Sequence, residues 1–122
     1  MTLDSVLVAV VDDDESVRES LPDLLKELGF ATRAFASAEE FLASGGIEKT
    51  GCLILDVAMP GMSGPELQRE LTRRGERVPV IFITAQPMET ARSALLAQGA
   101  VECLFKPFSE HQLCSALTMA LE

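Results

Sequence analysis

Five short apolar runs divide the chain, and each is followed by a stretch whose apolar residues recur at helical spacing. That alternation limits the fold more than any other feature. Val6 to Val11 is continuous and mostly β-branched, the signature of a strand covered on both faces. Phe30 to Phe35 reads as a shorter second strand and Cys52 to Leu55 as a third, which ends on Asp56. Val78 to Thr84 is a fourth strand, with Pro79 tolerated at its start, and Val101 to Phe105 a fifth. Between them the period changes. Val17, Leu21, Leu24, Leu25 and Leu28 form one helix face after Asp14, a good N-cap, with Pro22 expected to kink it and Gly29 to close it. Ser37-Ala38-Glu39-Glu40 predicts a capping box for a helix over 38–44. Pro60-Gly61 suits the centre of a type II turn, and Gly64-Pro65 an N-cap and first residue for a helix to Arg74, with Leu67 and Leu71 inward. Pro87 to Gln98 reads as a helix with a small inner face of Ala91, Ala94, Leu95 and Ala97, which makes it the easiest element to move. Ser109 to Gln112 opens the last helix, along which Leu113, Leu117 and Leu121 align.

Strand and helix alternating five times, with glycine after each of the first four helices, predicts an α/β fold. It is a three-layer, doubly wound, five-stranded parallel sheet, because right-handed crossovers place helices on both faces. With 122 residues and no linker or low-complexity tract, the reading is a single domain over 1–122. Hydrophobic residues make up 48% and charged residues 24%, an ordinary balance for a soluble globular domain. No run approaches the roughly 20 apolar residues of a membrane span and no signal-peptide pattern opens the chain, so the expected location is cytoplasmic. A net charge of −9 repels nucleic acid phosphates, which argues against direct nucleic acid binding by this segment. Cys52, Cys103 and Cys114 lie at no metal-ligand spacing; the first two sit in strand runs and are expected to pack in the core.

The strand ends carry the chemistry. Asp12 and Asp13 follow the first strand, Asp56 the third, Thr84 ends the fourth and Lys106 follows the fifth, all at the edge where open α/β sheets bind ligands. A lone acid at a strand end is ordinarily a turn former or a helix cap. Convergence of four strand ends is not. If the first and third strands are neighbours, three carboxylates crowd together, and at an effective dielectric near 20 each repulsion at about 4 Å costs about 4 kcal/mol. A hard divalent cation answers that crowding, and Mg²⁺ does so with carboxylates, a carbonyl and retained waters. Three carboxylates, one Mg²⁺ and Lys106 sum to zero. Asp56 could then act as a nucleophile and form an acyl phosphate, while the metal, Lys106 and the Thr84 hydroxyl stabilise the transferring group.

The motifs Val10-Val11-Asp12-Asp13, Leu55 to Gly64, Ile83-Thr84-Ala85 and Phe105-Lys106-Pro107-Phe108 together resemble the receiver domain of two-component response regulators, over essentially the whole chain. The resemblance implies the flavodoxin-like strand order 2-1-3-4-5, which is documented for a chemotaxis receiver. It implies phosphoryl transfer from a phosphohistidine on a sensor histidine kinase or phosphotransfer protein to Asp56. Asp13, Asp56 and the Ala58 carbonyl would ligate Mg²⁺, with Asp12 assisting through water. Lys106 would contact the phosphoryl group, Thr84 would swing toward it, and Lys106-Pro107 would be a cis peptide. The segments at 37–42 and 59–64 are most similar to the branch whose receivers precede a DNA-binding helix-turn-helix. Pairing of two copies through the fourth and fifth helices is what such receivers often do once phosphorylated. Cys103 stands at the switch position where many receivers carry Tyr or Phe, so the usual coupling from Thr84 is not expected: either the thiol packs inward in both states or the readout is a different one. Ala58 and Gln86, two beyond Asp56 and Thr84, commonly tune water access to the acyl phosphate; Ala58 has no polar side chain to orient a water, so hydrolysis should not be fast.

Two rival functions differ in what they require. A haloacid-type aspartyl-phosphate phosphatase needs a second acid two residues after the nucleophile, where this chain has Ala58. A receiver-shaped docking domain that is never phosphorylated would not need all five site positions, yet all are present. The catalytic reading therefore falls on Asp56, Thr84 and Lys106 and requires no further enzyme activity. His111, alone beside Glu110 at a helix start, is read as a solvated histidine.

Overall fold

The computed structural model describes residues 6–85 and 89–122. Five strands, β1 (Leu7–Val11), β2 (Ala31–Phe35), β3 (Thr50–Asp56), β4 (Val80–Thr84) and β5 (Glu102–Phe105), pair in parallel in the order β2-β1-β3-β4-β5. This is the predicted doubly wound sheet. Among the described residues five α-helices connect and follow them, α1 (Glu15–Glu27), α2 (Ala38–Ala43), α3 (Gly64–Arg73), α4 (Glu89–Ala97) and α5 (Glu110–Leu121), with a short 3₁₀ helix at Ile47–Lys49.

Period-2 alternation along the central strands divides the core into two layers. Ala9, Val11, Leu53, Leu55, Val80, Phe82 and Cys103 face one side and pack with Ala38 and Phe41 of α2, Leu67 and Leu71 of α3 and Leu95 of α4. Val8, Val10, Cys52, Ile54, Ile81, Ile83 and Leu104 face the other and pack with Leu21 and Leu25 of α1 and Leu113, Ala116 and Leu117 of α5. Cys52 and Cys103 are core residues as expected, and burial pushes the Cys52 thiol up to about 12. β2 lies at the sheet edge and is largely exposed. α1 continues through Pro22, which is buried, and Asp14 caps it by accepting from the Ser16 amide at 2.9 Å. A positive-φ glycine follows each of the first four helices.

Four local expectations need correction. The N-cap of α3 is Ser63, not Gly64: the Ser63 hydroxyl accepts from the Glu66 amide while the Glu66 carboxylate accepts from the Ser63 amide. A side chain able to accept a hydrogen bond outcompetes glycine there. At Ser37 only the forward half of the box forms, from the Glu40 amide to the hydroxyl. Gln68 of α3, outside the Leu67 and Leu71 stripe read as inward, is also buried, and its Oε1 has no hydrogen-bond partner among the described residues. On α4 the inner face is larger than predicted, because Leu95 and Leu96 turn toward the core while Ala94 and Ala97 are exposed. Pro87, the predicted start of that helix, lies outside the described residues.

Candidate functional site

Parallel pairing puts every strand's carboxyl end at one edge, and the register fixes which ends are neighbours. Val11 is opposite Leu55 and Asp56 is opposite Ile83, so the residues after β1, at the end of β3 and at the end of β4 share one rim. There Asp12, Asp13 and Asp56 each offer a carboxylate oxygen within 4.8 Å of the others. Asp12 and Asp56 are buried and Asp13 is exposed, which leaves the cluster one open side.

Lys106 follows the last strand in the order and reaches back across β4. Its ammonium donates to Asp12 Oδ2 at 2.9 Å and lies 3.7 Å from Asp56 Oδ1. The Lys106 amide donates to the Thr84 carbonyl at 2.7 Å, which joins the ends of β4 and β5, and Lys106-Pro107 is cis, as the resemblance implied. Burial works against charge on Lys106, but the hydrogen bond and charge of Asp12, with Asp56 and Asp14 behind it, outweigh that and raise its pKa. The Asp56 pKa rises as well, but for a carboxyl a rise disfavours the charged form. Burial first, and then the negative charge of Asp12, push its carboxyl from 3.8 to about 7 despite the pull of Lys106.

The sign of that shift gives a test. A carboxyl that holds its proton more tightly when folded adds stability that is present in acid and lost as pH rises from about 4 through about 7. Melts of the metal-free protein should therefore show Tm falling over that window, with a shallower fall for Asp56→Asn. Equal slopes would refute the assignment to Asp56.

Of the positions singled out in the sequence, Asp12, Asp13, Asp56 and Lys106 form one cluster, with Thr84 half-buried at its rim. Ala58 is exposed in the loop after β3. Cys103 is buried one layer down, on the α4 side of the sheet, and not at the rim. Gln86 lies outside the described residues, and His111 is exposed. Two supporting contacts were not anticipated. The Asp14 amide donates to Asp12 Oδ1 at 2.9 Å, and Arg18 Nη1 donates to the Asp12 carbonyl at 3.1 Å, so Asp12 is held from three sides. Arg18 had a sequence signal, being the first basic residue after an acidic triplet on a helix capped by that triplet.

The donor set is all oxygen, two of its carboxylates are buried, and among the described residues Lys106 is the cation paired with the carboxylates. That set fits a hard divalent ion such as Mg²⁺ and lacks the nitrogen or sulfur that zinc prefers. Strand order and site together define an α/β domain with an acidic, cation-seeking pocket at its topological switch.

The Response regulator receiver domain family matches residues 8–118, and the chain belongs to that family. Accepting a phosphoryl group within two-component systems, in which histidine kinases are the donors, is the family's function; its members bind Mg²⁺ at such an aspartate cluster, and it is not a classical enzyme family. The chain is 40% identical over 116 residues to the response regulator protein TmoT of Ectopseudomonas mendocina, covering 95% of this chain and 53% of the relative. It is 39% identical over 118 residues to the transcriptional regulatory protein FixJ of Azorhizobium caulinodans, covering 97% and 56%. It thus spans about half the length of the curated relatives it matches. Among solved structures, FixJ-N superposes with a TM-score of 0.86 at 37% identity, covering 95% of this chain and 93% of that one. Response regulator StyR superposes with 0.85 at 47%, covering 96% and 59%.

Proposed function

We propose that residues 1–122 form a receiver domain in which Asp56 accepts a phosphoryl group from a phosphohistidine on a sensor histidine kinase or phosphotransfer protein. A carboxylate oxygen of Asp56 attacks phosphorus, the phosphorus–nitrogen bond breaks, and the imidazole leaves with its electron pair. The observation that carries this reading is the cluster itself: a buried carboxylate, Asp56, faces two further acids and a lysine at 3.7 Å. Asp13, Asp56 and the Ala58 carbonyl would hold Mg²⁺, with Asp12 assisting through water. When bound, the metal neutralises the acids and draws charge from the phosphoryl oxygens in transfer. Lys106, already oriented by Asp12, moves its charge to the phosphoryl group as Asp56 exchanges about one negative charge for two. The Thr84 hydroxyl turns toward the same oxygens and shifts the connection to α4, while Cys103 stays packed inward. Apart from its own phosphorylation and dephosphorylation the domain catalyses nothing.

The donor has an obvious place to press. Val17, Leu21 and Leu24 of α1 and Pro107 and Phe108 after β5 line an apolar cavity of about 520 Å³ with Lys106 at its margin. A donor seated there brings its phosphohistidine to the open side of the cluster. Phosphorylated copies pair through α4 and α5, where Met119 is an exposed large apolar residue. The domain acts in the cytoplasm, in keeping with the absence, among the described residues, of any helix long and apolar enough to cross a membrane.

Incubation of the chain with a small acyl phosphodonor tests the proposal. With Mg²⁺, intact mass should show one phosphate, released by hydroxylamine as an acyl phosphate is; with a chelator, none. No incorporation under either condition would favour a docking domain that works without phosphorylation.

A further inference from the structure

We propose that Glu39 is a positioning residue for the metal side of the site, acting through the loop that joins β3 to α3. The inference deepens the reading above and rests on it, because the Ala58 carbonyl belongs to that loop.

The loop from Val57 to Ser63 must present one backbone carbonyl at a fixed place beside Asp56. Its inner side is well held: the Val57 amide donates to the Ile83 carbonyl at 3.0 Å, Met59 is buried, and Met62 packs against the core. Its two ends are held as well, by Val57 at one and by the Ser63 capping box at the other. Between them the outer arm, Pro60-Gly61-Met62, is exposed or half-buried. Glu39, in the first turn of α2 and 23 residues away in sequence, reaches this arm, and its Oε2 accepts from the Met62 amide at 3.0 Å.

Gly61 is shaped for that contact. Its φ of +74° completes the tight turn, and a Cβ at this position would lie 2.9 Å from Glu39 Oε2. The bare backbone therefore admits the carboxylate against the turn. α2 starts three residues after β2, and the Asp12 amide donates to the Phe35 carbonyl that ends β2. Glu39 thus ties the loop carrying Ala58 to the framework that carries Asp12. Groups that orient metal ligands without touching the metal typically alter affinity by 10- to 100-fold when removed. The solvent exposure of Glu39 places it at the low end of that range.

The test is titration of the whole 122-residue chain with Mg²⁺ alone, alongside amide exchange at Met62 in the metal-free protein. Glu39→Ala should weaken Mg²⁺ binding about tenfold and speed exchange at Met62. Glu39→Gln keeps an oxygen acceptor and should restore both to within about twofold of wild type. Glu40→Ala removes the neighbouring acid of the same helical turn and should change neither. Wild-type affinity in Glu39→Ala would overturn the proposal, as would equal weakening in Glu40→Ala or no rescue in Glu39→Gln. Wild-type protein that binds no Mg²⁺ would instead sink the reading of the site, and the role of Glu39 with it.

Discussion

Asp56→Asn protein, given Mg²⁺ and a small phosphodonor, should incorporate no phosphate, and its metal-free form should be more stable than the parent. The first effect follows from chemistry: the amide keeps the shape of the carboxylate but has no anionic oxygen to attack phosphorus. The second follows from electrostatics. Asp56 is buried beside Asp12, and its carboxyl is pushed to about 7, so near neutral pH part of the folding free energy is spent on keeping it charged. Removing that charge should add about 1 to 3 kcal/mol, which is several degrees in Tm for a domain of this size. The two readouts protect each other. Loss of phosphorylation in a protein that melts higher cannot be blamed on unfolding. Added Mg²⁺ should also raise Tm less in the variant than in the parent, since one of the proposed ligands is gone. Phosphate still appearing in the variant would mean that another side chain, such as Asp13, is the acceptor, and the assignment of Asp56 would fall.

What made the site legible is that each of its acids ends or follows an apolar run. Asp12, Asp56 and Thr84 stand where the apolar runs stop, and a parallel sheet must bring such positions to one rim. Lys106 could be placed by the same rule, although its reach across β4 to Asp12 depends on side-chain length and not on any local pattern. The misread positions have a common cause: each depends on a partner distant in sequence or on competition between adjacent residues. Gly64 was read as the cap of α3, and the adjacent Ser63 hydroxyl prevailed because Glu66 could return the bond. Gln68 is covered although it stands outside the Leu67 and Leu71 stripe, because the rotation of the helix about its axis is something period alone leaves open. Leu96 joined Leu95 on the inner face of α4 in place of Ala94 and Ala97 because it offers more apolar area to bury. Glu39 gave no signal as a loop tether, since helix capping already accounted for an acid in that turn.

Gly64→Ala should be the most destabilising single methyl that can be added near the site, and the reason sets two opposed effects against each other. Gly64 is the first residue of α3, and on helix propensity alone alanine would be better there by up to about 1 kcal/mol. Its φ lies outside the left-handed region, so no conformational penalty arises either. Space decides the matter. The Gly64 amide donates to the Val57 carbonyl at 3.0 Å, which draws the start of α3 against the end of β3. A Cβ would overlap the carbonyl oxygen of Asp56 and come 3.0 Å from the Phe82 ring. Neither neighbour can yield: one is strand backbone, and the other is a fully buried aromatic in a close-packed layer. The helix must therefore move as a body, at a cost of about 2 to 4 kcal/mol, well above the propensity gain. Because α3 and the loop before it move away from Asp56, Mg²⁺ affinity should fall as well. Urea unfolding and a Mg²⁺ titration of the folded fraction measure the two consequences separately. A Gly64→Ala protein as stable as the parent would mean that this close approach does not hold α3 against the sheet.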